Sequence, residues 1–160
     1  MEITTKRIYE QPLQSNGYRV LVDRLWPRGI SKENACINLW AKELAPSGDL
    51  RKWFGHREER WEAFKALYWQ ELQNNAAGVK EFEKETAGHD KITLLYAAKD
   101  QEHTHALVLE KYLQKFLKNR NKISSHLSKR LLRQLTKRTP RSLQKKCRKR
   151  ALTLTTCWSR

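Results

Sequence analysis

The sequence predicts an α/β protein: one compact domain with a mostly parallel, open sheet of about four strands and helices packed on it, plus a basic C-terminal tail. Three observations lead to this prediction. Short β-type segments alternate with longer segments of helical periodicity, which is typical of strands joined by crossover helices. The segment from Tyr18 to Leu25 is apolar on both alternating faces, as in a strand covered on both sides. Acidic residues are absent after residue 117, so the end of the chain differs in composition from the rest.

Four segments carry strand signals. An alternating, β-branched run predicts a first strand from Ile3 to Tyr9, and a turn-rich loop follows it. The second strand, 18–25, ends at Trp26-Pro27-Arg28-Gly29 because proline cannot continue a ladder. Short alternation from Ile37 to Ala41 predicts a third strand, and Lys91 to Ala97 predicts the last. We expect the second and last strands to be neighbours in the sheet.

Capping residues divide the helical segments. Ser31 can cap a short turn, and Ser47 can cap a short helix that runs through Trp53 and ends at Gly55. A longer helix follows from Glu58. Its buried face carries aromatic and aliphatic residues at spacings of three and four: Trp61, Phe64, Tyr68 and Leu72.

Two further helices complete the predicted domain. Asn74-Asn75 interrupts the long helix, and another helix continues through Val79 and Phe82 to Gly88. After the last strand, Asp100 can cap a helix that starts near Gln101. The buried side of that helix is marked by Ala106, Leu109, Leu113 and Leu117.

The charge is unevenly distributed along the 160 residues. Residues 1–117 hold 18 Lys and Arg and all 17 Asp and Glu, which leaves a net charge of +1. Residues 118–160 hold the other 15 Lys and Arg and no acid, a net charge of +15. We therefore divide the chain into an α/β domain, 1–117, and a basic extension, 118–160, that is disordered or partly helical.

Two interpretations of the extension stay open. It can be an arm that binds nucleic acid through salt-sensitive phosphate contacts, or an extension that selection has not shaped. Nucleic-acid binding by this protein is expected only through that segment. The sequence does not indicate an oligomeric state.

Several classes of protein and site are not indicated. No apolar run is long enough to span a membrane, and the N-terminus lacks a secretory pattern, so we expect a cytoplasmic protein without a membrane partner. Cys36, Cys147 and Cys157 show no paired spacing, which favours free thiols, with Cys36 as a small apolar filler. Glycine-rich phosphate loops, a serine elbow and a zinc-ligand set are absent, so we expect no cofactor and no metal.

The first candidate site group follows the second strand: Asp23, Arg24, Trp26 and Arg28. Two arginines at a strand end can fork onto a phosphate or carboxylate, and the indole offers a flat face. Asp23 can orient an arginine or accept a proton. The structural alternative is an internal salt bridge between Asp23 and one of the arginines.

The second group follows the last strand: Lys99, Asp100, His103 and His105. A strand end beside a helix N-terminus suits an anion, and His103 can exchange protons near neutral pH. A metal pair formed by the two histidines is disfavoured because residues two apart on a helix point in different directions. The structural alternative is that both are surface or helix-start histidines.

The third group combines aromatic rings with His56, which lies in a loop after Gly55. Rings at helical spacing are typical of a core, so Trp53, Phe54 and Trp61 are interpreted as packing residues. His56 is freer and is the better candidate for ligand contact.

These groups predict a net-positive crevice at the ends of two neighbouring strands. Asp23 or His103 would move a proton if the protein is an enzyme. Arg24, Arg28 and Lys99 would hold a small phosphate- or nucleotide-like anion. The other interpretation is a non-catalytic scaffold in which the same loops only stabilise the fold.

Four separate blocks of the first 117 residues resemble the YeaO-like family of bacterial proteins in order and spacing. The similar stretches are 18–29 with Ser31-Lys32, Trp40 with 42–47, 50–56 with Glu59–Glu62 and Phe64, and 94–100 with His103 and His105. The resemblance implies a compact α/β domain with an open sheet and no particular activity. Family members end near residue 118, so the resemblance implies nothing about the extension.

Overall fold

The computed structural model describes residues 1–11 and 17–120. It contains one sheet of four strands: β1 (Glu2–Arg7), β2 (Tyr18–Leu21), β3 (Leu39–Trp40) and β4 (Lys91–Tyr96). The order is β1-β4-β2-β3, and every pair is parallel. The predicted α/β class is confirmed, and so is the pairing of the second and last strands.

Five α-helices connect or follow the strands: α1 (Lys32–Ala35), α2 (Gly48–Phe54), α3 (Trp61–Asn74), α4 (Ala76–Glu85) and α5 (105–120). Single 3-10 turns lie at Lys42–Leu44 and Glu58–Arg60. None of the described helices is long and apolar enough to cross a membrane.

The chain divides into two units, Met1–Phe116 and Leu117–Arg160. The sheet, the core and the site described below belong to the first unit. Of the predicted extension only residues 118–120 are described, and they are helical. The interpretations of residues 121–160, and the loop signals at 12–16, lie outside the described residues.

The two central strands form the core of the sheet. Val20 and Leu21 of β2 align with Leu94 and Leu95 of β4, and all four side chains are fully buried. A parallel strand buried on both faces is a nearly continuous apolar run, which is why this segment was recognisable in the sequence.

Local capping signals are confirmed where their partners lie within one turn. The side chains of Ser31 and Ser47 accept hydrogen bonds from the backbone N–H groups of Asn34 and Leu50. Gly55 ends α2 in the left-handed conformation, with φ of 52°. Asn75 separates α3 from α4 and accepts a hydrogen bond from the backbone N–H of Gly78.

The second strand is shorter than predicted. It ends at Leu21, and one further ladder bond runs from Val22 N–H to Leu95 O at 3.0 Å. The next donor, Ala97 N–H, binds the side-chain carboxylate of Asp23 rather than a backbone carbonyl. Because the ladder stops there, Leu25 leaves the sheet and is 66% exposed.

The last helix begins later than predicted. Residues 101–103 form a turn, and α5 starts at residue 105. Oδ1 of Asp100 accepts hydrogen bonds from the N–H groups of Glu102 and His103, so its carboxylate caps this local turn and not the helix.

Cys36 is not the buried filler that the sequence suggested. It is exposed and ends α1 with a φ of 46°, a left-handed conformation that is uncommon for a residue other than glycine. Its carbonyl oxygen accepts a 2.9 Å hydrogen bond from Nε of Arg19.

Candidate functional site

A crevice of about 790 Å³ opens where β2 and β4 end. Its walls come from the segments after β1 and β2, from helices α2 and α3, and from the segment that runs from the end of β4 to the start of α5. The charged and titratable residues that line it are Asp23, Arg24, Arg28, Arg51, Lys52, His56, His103 and His105. Ligands of open α/β sheets bind at this end of the strands, and the volume suits a small molecule.

Six of the eight predicted site residues line the crevice: Asp23, Arg24, Trp26, Arg28, His56 and His103. The other two, Lys99 and Asp100, are not among its lining residues. Lys99 is exposed, and the carboxylate of Asp100 is engaged by the turn that follows it. The structure therefore gives no support to Lys99 as an anion ligand of this crevice.

Two cationic residues of the crevice, Arg51 and Lys52, were not predicted, and His105 stood in the second candidate group without an assigned role. The spacing of Arg51 and Lys52 could have indicated that they line the crevice. With Gly48 they stand at i, i+3 and i+4 of one short helix and so share a face. The partner of His105 is Asp23, which stands 82 residues earlier in the chain, so sequence spacing does not reveal the pair.

The cations of the crevice lack carboxylate partners. Arg24, Arg28, Arg51 and Lys52 are exposed, and none lies within 4 Å of an acidic oxygen in the described ranges 1–11 and 17–120. The salt bridge considered between Asp23 and a neighbouring arginine is therefore not formed. With one carboxylate on its walls, the crevice carries a net positive charge.

Asp23 is held at the floor of the crevice. Its Oδ2 accepts a 2.7 Å hydrogen bond from Ala97 N–H, and its Oδ1 lies 3.5 Å from Nε2 of His105. Nε1 of Trp40 donates to its backbone carbonyl at 2.7 Å. Burial raises the pKa of Asp23 above its ordinary value, and the nearby His105, the Ala97 N–H and Arg51 oppose that rise.

His105 has a defined tautomer. Its Nε2 lies 3.1 Å from the carbonyl oxygen of Val22, which can only accept, so Nε2 carries the hydrogen. In the neutral ring the lone pair is then on Nδ1. Burial lowers the pKa of His105 below its ordinary value, while the Asp23 carboxylate and the Val22 carbonyl act in the opposite direction.

His103 has different partners from His105. Its Nδ1 lies 2.9 Å from Oδ2 of Asp100, and its ring meets the edge of Trp61 at 5.4 Å. Hydrogen bonds from the N–H groups of His103 and Glu102 hold the pKa of Asp100 below its ordinary value. Among the described residues no three His, Cys, Asp or Glu side chains are grouped as metal ligands.

The aromatic residues divide between packing and lining. Trp26 is half-buried, donates its Nε1–H to Ile30 O at 2.8 Å and meets Trp40 edge to face. Phe54 is buried and lines the crevice. Trp53, interpreted as a packing residue, is 39% exposed, with the Arg60 guanidinium 5.3 Å from its ring centroid.

His56 is exposed on the rim of the crevice in a constrained backbone conformation. Its φ is 55°, and it follows Gly55, which also has a positive φ. A left-handed conformation costs a non-glycine residue about 1–2 kcal/mol, and residues strained in this way cluster at functional sites. The turn places the imidazole beside Phe54, with 5.5 Å between the ring centroids.

The buried histidine gives a prediction for pH. A group whose pKa is lowered in the folded state stabilises the fold above its unfolded pKa, near 6.5, and this contribution is lost as the pH falls through the folded pKa. Asp23, whose folded pKa is raised, contributes in the opposite sense, and removing His105 raises that pKa further. The free energy of unfolding of the native chain, minus that of His105→Gln, should therefore decrease as the pH falls from 7.5 to 5.

Urea unfolding at several pH values measures this difference. His89→Gln is the control, because it removes an exposed imidazole that lies outside the crevice and stacks on Tyr18. Parallel pH curves for the native chain and His105→Gln would contradict the assignment of His105 as a buried, neutral ring.

Comparisons with known proteins point to one family. A sequence family described as the inactive DUF488-N3 subclade, DUF488-N3i, matches residues 2–132. The uncharacterized protein YeaO of Escherichia coli K12 is 42% identical over 113 residues, which cover 71% of this chain and 97% of that protein. Uncharacterized proteins of Mycobacterium bovis (Mb3100c) and Mycobacterium tuberculosis (Rv3073c) are each 39% identical over 111 residues, 69% of this chain and 92% of theirs. No solved structure gives a significant match.

Proposed function

The chain belongs to the DUF488-N3i family, as its resemblance to YeaO-like proteins indicated, and we propose that its crevice binds a small anion of phosphate or nucleotide type. One observation carries this proposal. Four cationic side chains surround a crevice whose single carboxylate is already engaged by a backbone N–H and a histidine.

Unpaired cations at the mouth of a concave site favour an anionic occupant. Charges of one sign in a cleft focus the field and raise the local concentration of counter-ions. Arg24 and Arg28 approach from the loop after β2, and Arg51 approaches from α2, so their planar guanidinium groups meet a ligand from two walls. Such groups bind phosphate and carboxylate oxygens in pairs.

Acid–base chemistry is the second candidate function. The Asp23–His105 pair favours it, because the Nδ1 lone pair of a histidine held by a carboxylate can accept a proton from a ligand. His103 offers a similar arrangement, because a hydrogen on its Nδ1 donated to Asp100 Oδ2 at 2.9 Å leaves the lone pair on Nε2. The matching family is described as an inactive subclade, which is our reason for proposing binding before turnover.

The test is a titration of the full chain with inorganic phosphate by isothermal calorimetry at pH 7.5 and fixed salt. Arg51→Ala should weaken binding about ten- to hundredfold, the range expected when a charge-assisted hydrogen bond is lost. Arg57→Ala is the matched control, because Arg57 is an exposed arginine near α2 that does not line the crevice.

The control also separates the crevice from the basic extension. Phosphate that is bound by residues 118–160, with their net charge of +15, would still be bound by both variants. Equal affinities of Arg51→Ala and Arg57→Ala would overturn the proposal. The nucleic-acid alternative predicts salt-sensitive oligonucleotide binding that persists in Arg51→Ala and disappears when the extension is removed.

A further inference from the structure

Two large apolar side chains stand exposed at the mouth of the same crevice. Leu25 is 66% exposed and Tyr9 is 48% exposed, and both line the cavity. A single exposed leucine is ordinary, but here both side chains line the same cavity as half-buried Trp26. The hydroxyl of Tyr9 bonds to the Arg28 carbonyl, in the loop that carries the other two. Tyr9, Leu25 and Trp26 together are called the apolar wall below.

Tyr9 is fixed in place although its ring is open to solvent. Its hydroxyl donates to the carbonyl oxygen of Arg28 at 3.2 Å, and the guanidinium carbon of Arg7 lies 5.6 Å from its ring centroid. Arg7 is itself held, because its Nε donates to Ala98 O at 3.1 Å. An aromatic ring that is exposed and already ordered loses little entropy when a flat ligand stacks on it.

The cavity has room for more than a bare anion. Its volume of about 790 Å³ is many times the roughly 30 Å³ that one water molecule occupies in the liquid, and it falls within the range of sites for drug-sized ligands. A phosphate group would engage the cations and leave the apolar wall in water. The ligand that matches both features carries its anion on a flat, partly apolar body.

Building on the proposed function, we infer that the ligand is a nucleoside monophosphate, with its base on the apolar wall and its phosphate among the cations. Four positive charges and one negative charge leave +3 on the walls when the histidines are neutral, enough to neutralise a phosphate dianion. Any of the bases can stack on an aromatic side chain, because every base has a π-face.

A comparison of two ligands tests the inference. Adenosine monophosphate and ribose 5-phosphate carry the same phosphate on the same sugar, and only the first has a base. Calorimetry on the full chain should give adenosine monophosphate about tenfold tighter binding, the gain expected for one stacked base. Tyr9→Ala should remove most of this preference, so that the ratio of the two affinities falls from about ten to near one.

Two further variants exclude indirect effects. Tyr9→Phe and Tyr9→Ala both lose the hydrogen bond to Arg28 O, but only Tyr9→Phe keeps the ring. Tyr9→Phe should therefore retain most of the preference for adenosine monophosphate. Leu25→Ser should reduce the preference, whereas Leu67→Ser should not, because Leu67 is a 43% exposed leucine outside the crevice.

The outcomes separate the two proposals. Equal affinities for both ligands, lost together in Arg51→Ala, would overturn the inference and uphold anion binding. A preference for adenosine monophosphate that survives Tyr9→Ala would also overturn the inference. Affinities that are unaffected by Arg51→Ala, or no binding of either ligand, would overturn both.

Discussion

Phe64→Ala should lower the free energy of unfolding by about 3–5 kcal/mol, the cost typical of removing a large ring from a packed core. Phe64 is 1% exposed and lies at the centre of a cluster of rings. Its centroid is 4.3 Å from that of Phe54 and 5.7 Å from those of Trp61 and Tyr68. Alanine would leave a cavity among these rings and remove part of the crevice wall, since Phe64 also lines it. Urea unfolding followed by circular dichroism measures the change.

Two variants on the same helix test the reason for this loss. Phe64→Leu should cost less because it keeps most of the apolar volume. Leu67→Ala removes an exposed side chain of α3 and should cost about 1 kcal/mol or less. A Phe64→Ala variant as stable as Leu67→Ala would show that the ring cluster does not contribute as its geometry implies.

Asp23→Asn and Asp23→Ala should differ in stability by about 1–3 kcal/mol. The amide oxygen of asparagine can still accept the hydrogen bond from Ala97 N–H, whereas alanine leaves that donor without its acceptor. Burial raises the pKa of the Asp23 carboxyl, which means that its negative charge is less favourable in the folded state. Asp23→Asn removes this charge and should be at least as stable as the native chain near pH 7. Thermal and urea unfolding of the three proteins measure these differences.

The same variant separates binding from proton transfer at Asp23. Removing the single negative charge of the crevice should strengthen phosphate binding about three- to tenfold in Asp23→Asn. If Asp23 instead accepts a proton that the ligand must release, affinity would decrease. A decrease in a variant of native stability would therefore favour the acid–base function over simple anion binding.

Much of the fold was readable from the sequence because its signals are local. The apolar run at 18–22 marks a buried parallel strand whatever lies beside it. Ser31, Ser47 and Asn75 cap helices through hydrogen bonds to residues three positions later, so short stretches of sequence contain both partners.

The position of the crevice was also predictable, because adjacent parallel strands end at the same edge of the sheet. Asp23 and His103 follow different strands, and both line the cavity. The backbone turn after β4 was not predictable from spacing alone. Asp100 caps residues 102 and 103 instead of the helix, and Lys99 does not reach the crevice.

The sequence by itself determined the class of sheet, the neighbouring central strands, the caps at Ser31 and Ser47, and the edge of the sheet at which the crevice opens. Only the tertiary structure decided which side chains meet there. Arg51 reaches the crevice because α2 packs beside the strand ends, and His105 meets Asp23 because the turn at 101–103 sets where α5 begins. The physical reason is range: caps and strand patterns act within one or two turns of chain, whereas these contacts depend on how whole helices pack against the sheet.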